Sequence, residues 1–170
     1  MIRRAALAGG AFIVALAVDF ATKWLILNIV MVSPRTIGVT SFFSLTLGFN
    51  TGVSFGMFRD LFHERPLLLA GIKLVVVAGL LVWAMRTTSR FETVSFGLIA
   101  GGATGNVVDR IRQGAVTDFL DFHIVGWHWP TFNMADAMIF VGVFLLVASV
   151  FFPKRSTLPV HGRPSRSGGR

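Results

Sequence analysis

The chain of 170 residues is 54% hydrophobic and only 14% charged, whereas soluble domains average about a quarter charged residues. This composition excludes an ordinary soluble protein and predicts an integral membrane protein, and the absence of cysteine excludes disulfides, thiolate-ligated metals and a thiol nucleophile. The net charge of +8 does not indicate nucleic-acid binding, because the basic residues flank apolar segments or lie in the C-terminal tail.

The first apolar segment, about residues 5–32, is long enough to cross a bilayer, for which a helix needs ~20 residues. It follows two arginines and contains Ala15-Leu16-Ala17, a pattern that also fits the cleavage site of a secretory signal peptide. Hydrophobicity resumes after Asp19 and Lys23, so we interpret the segment as a retained membrane span.

One β-prone segment and three apolar segments follow. Residues 36–58 are punctuated by glycine and partly alternate in polarity, which predicts short strands at the membrane surface. The sequence thus predicts an all-α integral membrane protein in residues 1–152, with four transmembrane helices and a small extracytoplasmic β-rich segment. The three further spans, each near the length that a membrane-crossing helix needs, are about residues 66–86, 91–110 and 135–152.

Two remaining segments are polar or aromatic. Residues 111–134 contain Trp127, His128 and Trp129, an aromatic cluster typical of the membrane interface. Residues 153–170 are rich in proline, serine, glycine and arginine, which predicts a disordered, basic cytoplasmic tail close to anionic lipid.

The basic residues also predict the orientation in the membrane. By the positive-inside rule, the side of the membrane that carries most of the basic residues faces the cytoplasm, so both termini are predicted to be cytoplasmic. This side includes Arg3, Arg4, Arg86, Arg90 and the tail. The ionisable groups within the spans then gather toward the outer leaflet, where a functional site is expected. Lys73 is interpreted as a lysine that snorkels to the interface.

Polar residues within the spans are grouped by helical spacing. Asp19 and Lys23 are four residues apart, the spacing of a structural ion pair. In the third span a seam of small residues predicts close helix packing and ends in a polar cluster. The seam comprises Gly97, Gly101 and Gly105, and the cluster comprises Asn106, Asp109 and Arg110, with Asp109 interpreted as neutralising Arg110 or Arg112.

Two other patterns are rejected. The segment Gly52-Val53-Ser54-Phe55-Gly56 matches G-x-S-x-G, but this short membrane chain has no room for the α/β-hydrolase sheet that a nucleophile elbow requires. Aspartates and histidines gather in residues 118–136, yet neither H-E-x-x-H nor two histidines at helical ligand spacing occurs. We therefore predict neither a serine nucleophile nor a metal or other cofactor.

Asp118 and Asp136 remain as a candidate catalytic pair, because each lies at the mouth of an apolar segment, where a carboxylate is costly. Two carboxyl groups held close together share a proton, so one can act as a base towards water and the other as an acid. Amide and guanidinium groups could hold substrate carbonyls beside them; the candidates are Asn50, Asn106, Asn133 and Arg110.

Five short motifs, in order, resemble the signature sequences of the lipoprotein signal peptidase (signal peptidase II) family over about residues 19–140. They are Asp19-x-x-x-Lys23, Asn50-Thr-Gly-Val-Ser-Phe-Gly56, Gly101-Gly-Ala-Thr-Gly-Asn106-Val-Val-Asp109-Arg110, Val116-Thr-Asp118-Phe and Phe132-Asn133-Met-Ala-Asp136. One departure is Ser54, where the family often has alanine.

The resemblance implies a bacterial inner-membrane aspartyl endopeptidase that cleaves the signal peptide from diacylglyceryl-modified prolipoproteins, on the N-terminal side of the lipobox cysteine. It implies that Asp118 and Asp136 are the catalytic dyad and that Asp19 and Lys23 support them. The substrate-binding residues that it implies are Asn50, Gly52, Asn106, Arg110 and Asn133.

The expected partners are prolipoprotein substrates and membrane lipid but no nucleic acid, and the enzyme is expected to be a monomer with its site near the outer, periplasmic face. The alternative from another functional class is a small proton-coupled transporter or channel component. Its proton relay would comprise Asp19, Lys23, Lys73 and Asp109.

Overall fold

The computed structural model describes residues 2–33, 36–52 and 66–151, and these residues form four α-helices and four β-strands. The predicted β-prone residues 53–58, which include all of the rejected elbow motif except Gly52, and the predicted tail of residues 153–170 lie outside the described residues. Helix α1 comprises Ile2–Leu25 and continues as a π-helical segment, Ile26–Val30. Helix α2 comprises Pro66–Arg86, α3 comprises Arg90–Gln113 and α4 comprises Met134–Phe151.

The ends of α3 and α4 follow from local capping. Helix α3 begins after Ser89, whose hydroxyl oxygen accepts the backbone N–H of Glu92 at 3.4 Å, and ends at Gly114. Gly114 has a φ of 77°, which favours glycine, and its N–H donates to the carbonyl oxygen of Arg110 at 3.0 Å. Helix α4 begins after Asn133, whose side-chain oxygen accepts the backbone N–H of Asp136 at 3.0 Å.

Helix α3 lies at the centre of the bundle and packs against the other three helices. A Cβ atom at Gly97 would overlap the carbonyl oxygen of Ala8 in α1, and one at Gly102 would overlap the carbonyl oxygen of Ala135 in α4. Because glycine has no Cβ, the backbones of α1 and α4 approach that of α3 closely, as a seam of small residues allows.

Three of the described helical segments are long and apolar enough to cross a membrane, namely Ile2–Val30, Leu67–Arg86 and Met134–Phe151. Helix α3 is less apolar because its buried surface includes polar side chains, namely Thr93, Ser95, Asn106 and Arg110. The neighbouring helices cover this surface. A mostly helical membrane protein with a small sheet is thereby confirmed, whereas the crossing of the membrane by α3 stays a prediction.

An antiparallel sheet with the strand order β1-β2-β3-β4 lies at one end of the bundle. Its strands are β1 (Thr36–Gly38), β2 (Phe43–Asn50), β3 (Val116–Ile124) and β4 (Trp127–His128). The first two lie where strands were predicted, but β3 and β4 lie in the segment that we interpreted only as an aromatic interface.

The sheet is attached to the helices through an apolar cluster in which Ile26 and Met31, after α1, pack against Phe119 of β3. These three side chains are almost completely buried. The cluster fixes β3 over the end of the bundle, next to the start of α4.

Candidate active site

The two aspartates predicted as the catalytic pair meet where β3 passes the start of α4. Asp118 is the third residue of β3, and Asp136 is the third residue of α4. Asp118 is only 2% exposed, whereas Asp136 is partly exposed. The two groups lie close enough for the charge of Asp136 to act on Asp118.

Three asparagines hold the two carboxyl groups. Asp118 accepts hydrogen bonds from Asn50 Nδ2 at 3.1 Å and from Asn133 Nδ2 at 2.7 Å, one on each carboxyl oxygen. Asp136 Oδ1 accepts a hydrogen bond from Asn106 Nδ2 at 2.9 Å. Since Asn133 also caps α4 through the backbone N–H of Asp136, it contacts both members of the pair.

Burial raises the pKa of the Asp118 carboxyl to about 7, and the neighbouring charge of Asp136 raises it further, while the amide hydrogen bonds from Asn50 and Asn133 oppose the change. At neutral pH Asp118 therefore holds a proton for much of the time. A carboxyl group that keeps its proton near pH 7 can act as a general acid.

A buried ionic cluster supports the pair from the side of α1. Lys23 Nζ lies 2.8 Å from Asp19 Oδ2 and 2.8 Å from Asp109 Oδ2. The ion pair of Asp109 is thus with Lys23, and its charge also acts on Arg110. Lys23 also donates to Asn106 Oδ1 at 3.3 Å, which connects the cluster to the residue that holds Asp136.

Asp19 also contacts the start of α4. Its Oδ1 accepts the backbone N–H of Ala135 at 3.0 Å, so a carboxylate of α1 lies at the positive N-terminal end of α4. Gly105 makes room for it, because a Cβ there would overlap Asp19 Oδ2. Asp19 is completely buried, so its carboxylate contacts only other protein groups.

Arg110 binds the end of the segment that carries Asn50. Its Nη2 donates to the carbonyl oxygen of Gly52 and its Nη1 donates to the carbonyl oxygen of Asn106 at 3.3 Å. The N–H of Gly52 in turn donates to Asn50 Oδ1 at 2.9 Å. Nε of Arg110 is buried and has no hydrogen-bond partner within the described part of the chain.

All five residues predicted to bind substrate are therefore gathered round the two aspartates. Asn106, Arg110 and Asn133 are at most 2% exposed, so in this state they bind other protein groups instead of facing an open chamber. In the sequence, Asn50 and Gly52 come directly before residues 53–65, which lie outside the described residues.

A second polar group lies farther along the sheet and is separate from the pair. His128 Nδ1 is 2.9 Å from Asp121 Oδ1, and His123 Nε2 is 2.9 Å from Ser44 Oγ. Burial alone would raise the pKa of Asp121, but hydrogen bonds from His128 and Thr46 lower it below its usual value. Within the described ranges, no three His, Asp or Glu residues are arranged to hold a metal ion.

An apolar cavity of about 340 Å³ lies beside the pair. It opens along the outer face of α4, where Phe140 is 72% exposed. Asp136 is the charged residue of its lining, which otherwise comprises Trp129, Phe132, Ala137, Phe140 and Val141.

Comparisons with known proteins agree on one family. A family model described as signal peptidase (SPase) II matches residues 11–152. The lipoprotein signal peptidase of Rhodopseudomonas palustris (strain TIE-1) is 42% identical over 140 residues, which cover 79% of this chain and 85% of that protein. The lipoprotein signal peptidase of Francisella tularensis subsp. novicida (strain U112) is 39% identical over 148 residues, which cover 85% and 91%.

Two solved structures, both described as bacterial membrane enzymes, share the fold. One has a TM-score of 0.75 at 23% identity and covers 92% of this chain and 94% of that chain. The other has a TM-score of 0.70 at 25% identity and covers 88% and 94%. With a match over most of its length to the family model and to these relatives, the chain belongs to the signal peptidase II family.

Proposed function

We propose that the chain is an aspartyl endopeptidase that cleaves signal peptides from prolipoproteins, with Asp118 and Asp136 as its catalytic dyad. The observation that carries the assignment of the dyad is the set of amide contacts, in which Asn50 and Asn133 bind Asp118 while Asn106 binds Asp136. These contacts hold the carboxyl group of Asp118, on β3, and that of Asp136, on α4, close enough for their charges to interact.

In this proposal Asp118 carries the shared proton, since its pKa is about 7, and Asp136 acts as the base. Asp136 takes a proton from a water molecule whose oxygen attacks the scissile carbonyl carbon, while Asp118 protonates the carbonyl oxygen. When the tetrahedral intermediate collapses, the C–N bond breaks, the proton on Asp136 passes to the leaving nitrogen, and Asp118 regains its proton. No metal or other cofactor takes part.

The proposed substrate carries a diacylglyceryl group on the cysteine that follows the cleavage site. The apolar cavity beside Asp136 supports this choice, because its nearly uncharged lining suits an acyl chain better than a polar peptide side chain. A lipid-modified substrate that lies in the bilayer can approach along the exposed apolar face of α4.

We also propose that α3 crosses the membrane, so that the chain has four spans in a bacterial inner membrane with both termini in the cytoplasm. Arg3, Arg4 and Arg90 line one cavity at the end of the bundle where α1 and α3 begin, and the positive-inside rule favours that end for the cytoplasm. The dyad then lies near the outer face. A monomer contains every residue that the proposed site requires.

The test uses detergent-purified protein with two lipobox peptides that differ only in the diacylglyceryl group. The wild type should cleave the modified peptide and leave the unmodified one largely intact. Asp118→Asn and Asp136→Asn should each abolish cleavage, because an amide cannot accept the proton of water or share one, while thermal unfolding shows that both variants are folded.

Asp121→Asn is the matched control, since Asp121 lies on the same strand but contacts His128 and Thr46 instead of the dyad. It should keep most of the activity. Near wild-type cleavage by either dyad variant would overturn the assignment. The transporter alternative has no support in the comparisons. Of its four proposed relay residues, all but Lys73 are bound to one another in one ionic cluster of Asp19, Lys23 and Asp109.

A further inference from the structure

The end of the bundle opposite to the dyad contains a basic cavity of about 590 Å³. It lies where α1 and α3 begin, and Arg3, Arg4 and Arg90 line it. Arg90 is the first residue of α3, and the distance along that helix from Arg90 to Asn106, which binds Asp136, is about 24 Å. The basic cavity is therefore separate from the candidate active site.

The positive charge of the basic cavity is not neutralised by the protein. None of the three guanidinium groups forms an ion pair within the described ranges, and no acidic residue belongs to the described lining. Glu92, the acidic residue in the first turn of α3, is outside the lining and accepts a hydrogen bond from Thr87 Oγ1. Three cations thus surround one cavity without a counter-ion.

The helix ends add to this charge. Arg3 and Arg4 lie in the first turn of α1, which contains no acidic residue, and Arg90 lies in the first turn of α3. The N-terminal end of a helix is positive, so a cation there is unfavourable and an anion is favoured. The arrangement is therefore unfavourable for the protein alone and becomes favourable when an anion binds between the arginines.

Topology alone does not explain the cavity. The positive-inside rule accounts for arginines at this end of the bundle, but it does not require them to converge. Arg86, the last residue of α2, lies at the same end and does not line the cavity. The convergence of Arg3, Arg4 and Arg90 therefore indicates a binding site in addition to a topological signal.

The rest of the lining indicates an anion with an apolar part. Ala6 and Leu7 of α1 line the basic cavity beside the arginines, and Leu7 is 39% exposed. A phospholipid can place its phosphate between the arginines and its first acyl carbons against Leu7. The C-terminal tail, residues 153–170, contains no acidic side chain and is not complementary to the cavity.

We propose that the basic cavity binds the phosphate group of an anionic phospholipid of the surrounding membrane. The planar guanidinium groups donate paired hydrogen bonds to the phosphate oxygens, and basic pockets between membrane helices suit such headgroups. The bound lipid connects the start of α1 to the start of α3 and stabilises the folded protein. This site goes beyond the proposed peptidase function and does not depend on the dyad.

The test measures lipid binding to detergent-purified protein by native mass spectrometry, with thermal unfolding in parallel. Phosphatidylglycerol should bind and raise Tm, whereas phosphatidylcholine with the same acyl chains should do so only weakly. Arg4→Gln and Arg90→Gln should each weaken the binding of phosphatidylglycerol by about tenfold, because each removes charge-assisted hydrogen bonds. Without added lipid both variants should unfold at or above the wild-type temperature, since a cation is unfavourable at a helix N-terminus.

Arg86→Gln is the matched control, because it removes one cation from the same end of the bundle but from outside the cavity. Its affinity should stay within about a factor of two of the wild type at physiological salt, where exposed charges are screened. Equal losses in Arg86→Gln and Arg90→Gln, or equal affinity for the two lipids, would overturn the proposal. Inorganic phosphate is the last arm: stabilisation equal to that by phosphatidylglycerol would refute a lipid site in favour of a free-anion site.

Discussion

At the scale of single residues, Asn133 determines the geometry of the candidate dyad most directly. Its side-chain NH2 group donates to Asp118 Oδ1 at 2.7 Å, and its side-chain oxygen accepts the backbone N–H of Asp136 at 3.0 Å. The same side chain is the N-cap of α4. The start of that helix and the separation of the two carboxyl groups are therefore fixed together.

The raised pKa of Asp118 makes stability depend on pH. The folded protein holds a proton on Asp118 up to about pH 7, whereas the unfolded chain releases it near the ordinary value of 3.8. As pH rises through this range, the unfolded state binds fewer protons than the folded state and gains stability relative to it. The wild type should therefore lose stability relative to Asp118→Asn, and the difference should level off above about pH 7.

The measurement is the thermal unfolding temperature of both proteins in one detergent over this pH range. Tm of Asp118→Asn minus Tm of the wild type should increase with pH and then become constant. Asp121→Asn is the control: the pKa of Asp121 is lowered, so the wild type should gain stability over that variant as pH rises from the acid range. A difference for Asp118→Asn that stays flat or decreases with pH would contradict the assignment of the proton.

At the scale of elements, the contact between α1 and α3 depends on the absence of side chains. A Cβ at Gly101 would overlap the carbonyl oxygen of Phe12, whereas a Cβ at Gly79 of α2 has no atom within 4 Å. Gly101→Ala should thus separate the helices and cost roughly 1–3 kcal/mol of unfolding free energy. Gly79→Ala makes the same chemical change on an open surface and should be neutral or slightly stabilising.

Thermal unfolding of the two alanine variants checks this prediction. Specific activity per folded molecule should also fall in Gly101→Ala, because α3 carries Asn106 and α1 carries the ionic cluster that binds it. Equal unfolding temperatures for the two variants would mean that α1 can move away from α3 without cost.

The elements differ in how far the sequence could predict them. Helices α1 to α4 are long apolar or small-residue segments, and the glycine spacing of α3 indicated close packing. Strand β3 has β-prone residues, including Val116, Thr117 and Phe119, but it follows a helix directly and its partner β2 lies far upstream. The pairing of Gly48 with Asp118 is a non-local contact that no local pattern contains.

The residues of the candidate site also differ in how far the sequence could predict them. The two aspartates and the Asp19–Lys23 pair could be predicted, because their spacing and cost in a membrane are properties of the local sequence. The contacts of Asn106 and Asp109 could not, since each amide or carboxylate has several possible partners and the choice depends on how the helices pack. Burial of Asn106 and Arg110 likewise follows from the central position of α3.

At the scale of the whole molecule, the proposed orientation requires α3 to cross the membrane. Its 24 residues span about 36 Å, enough for the hydrocarbon core. Reporter fusions at Arg90 and at Gln113, the two ends of α3, test this directly. The fusion at Arg90 should be cytoplasmic and the fusion at Gln113 external.

A fusion after Arg86, at the end of α2, is the control and should give the same result as Arg90. If both ends of α3 report the same side, the helix does not cross and the proposed position of the dyad at the outer face is wrong.

The hydrogen bond between Asp19 and Ala135 joins the first helix to the last across 116 positions. Before α4 has been synthesised, Asp19 Oδ1 cannot accept the backbone N–H of Ala135. Asn106 likewise has neither its hydrogen bond to Asp136 nor the one from Asn133. A nascent chain of three helices therefore contains the supporting residues but no dyad. Insertion of the last helix adds the Asp19–Ala135 hydrogen bond and brings Asp136 to Asn106 in one step, so the proposed dyad can form only after α4 is in place.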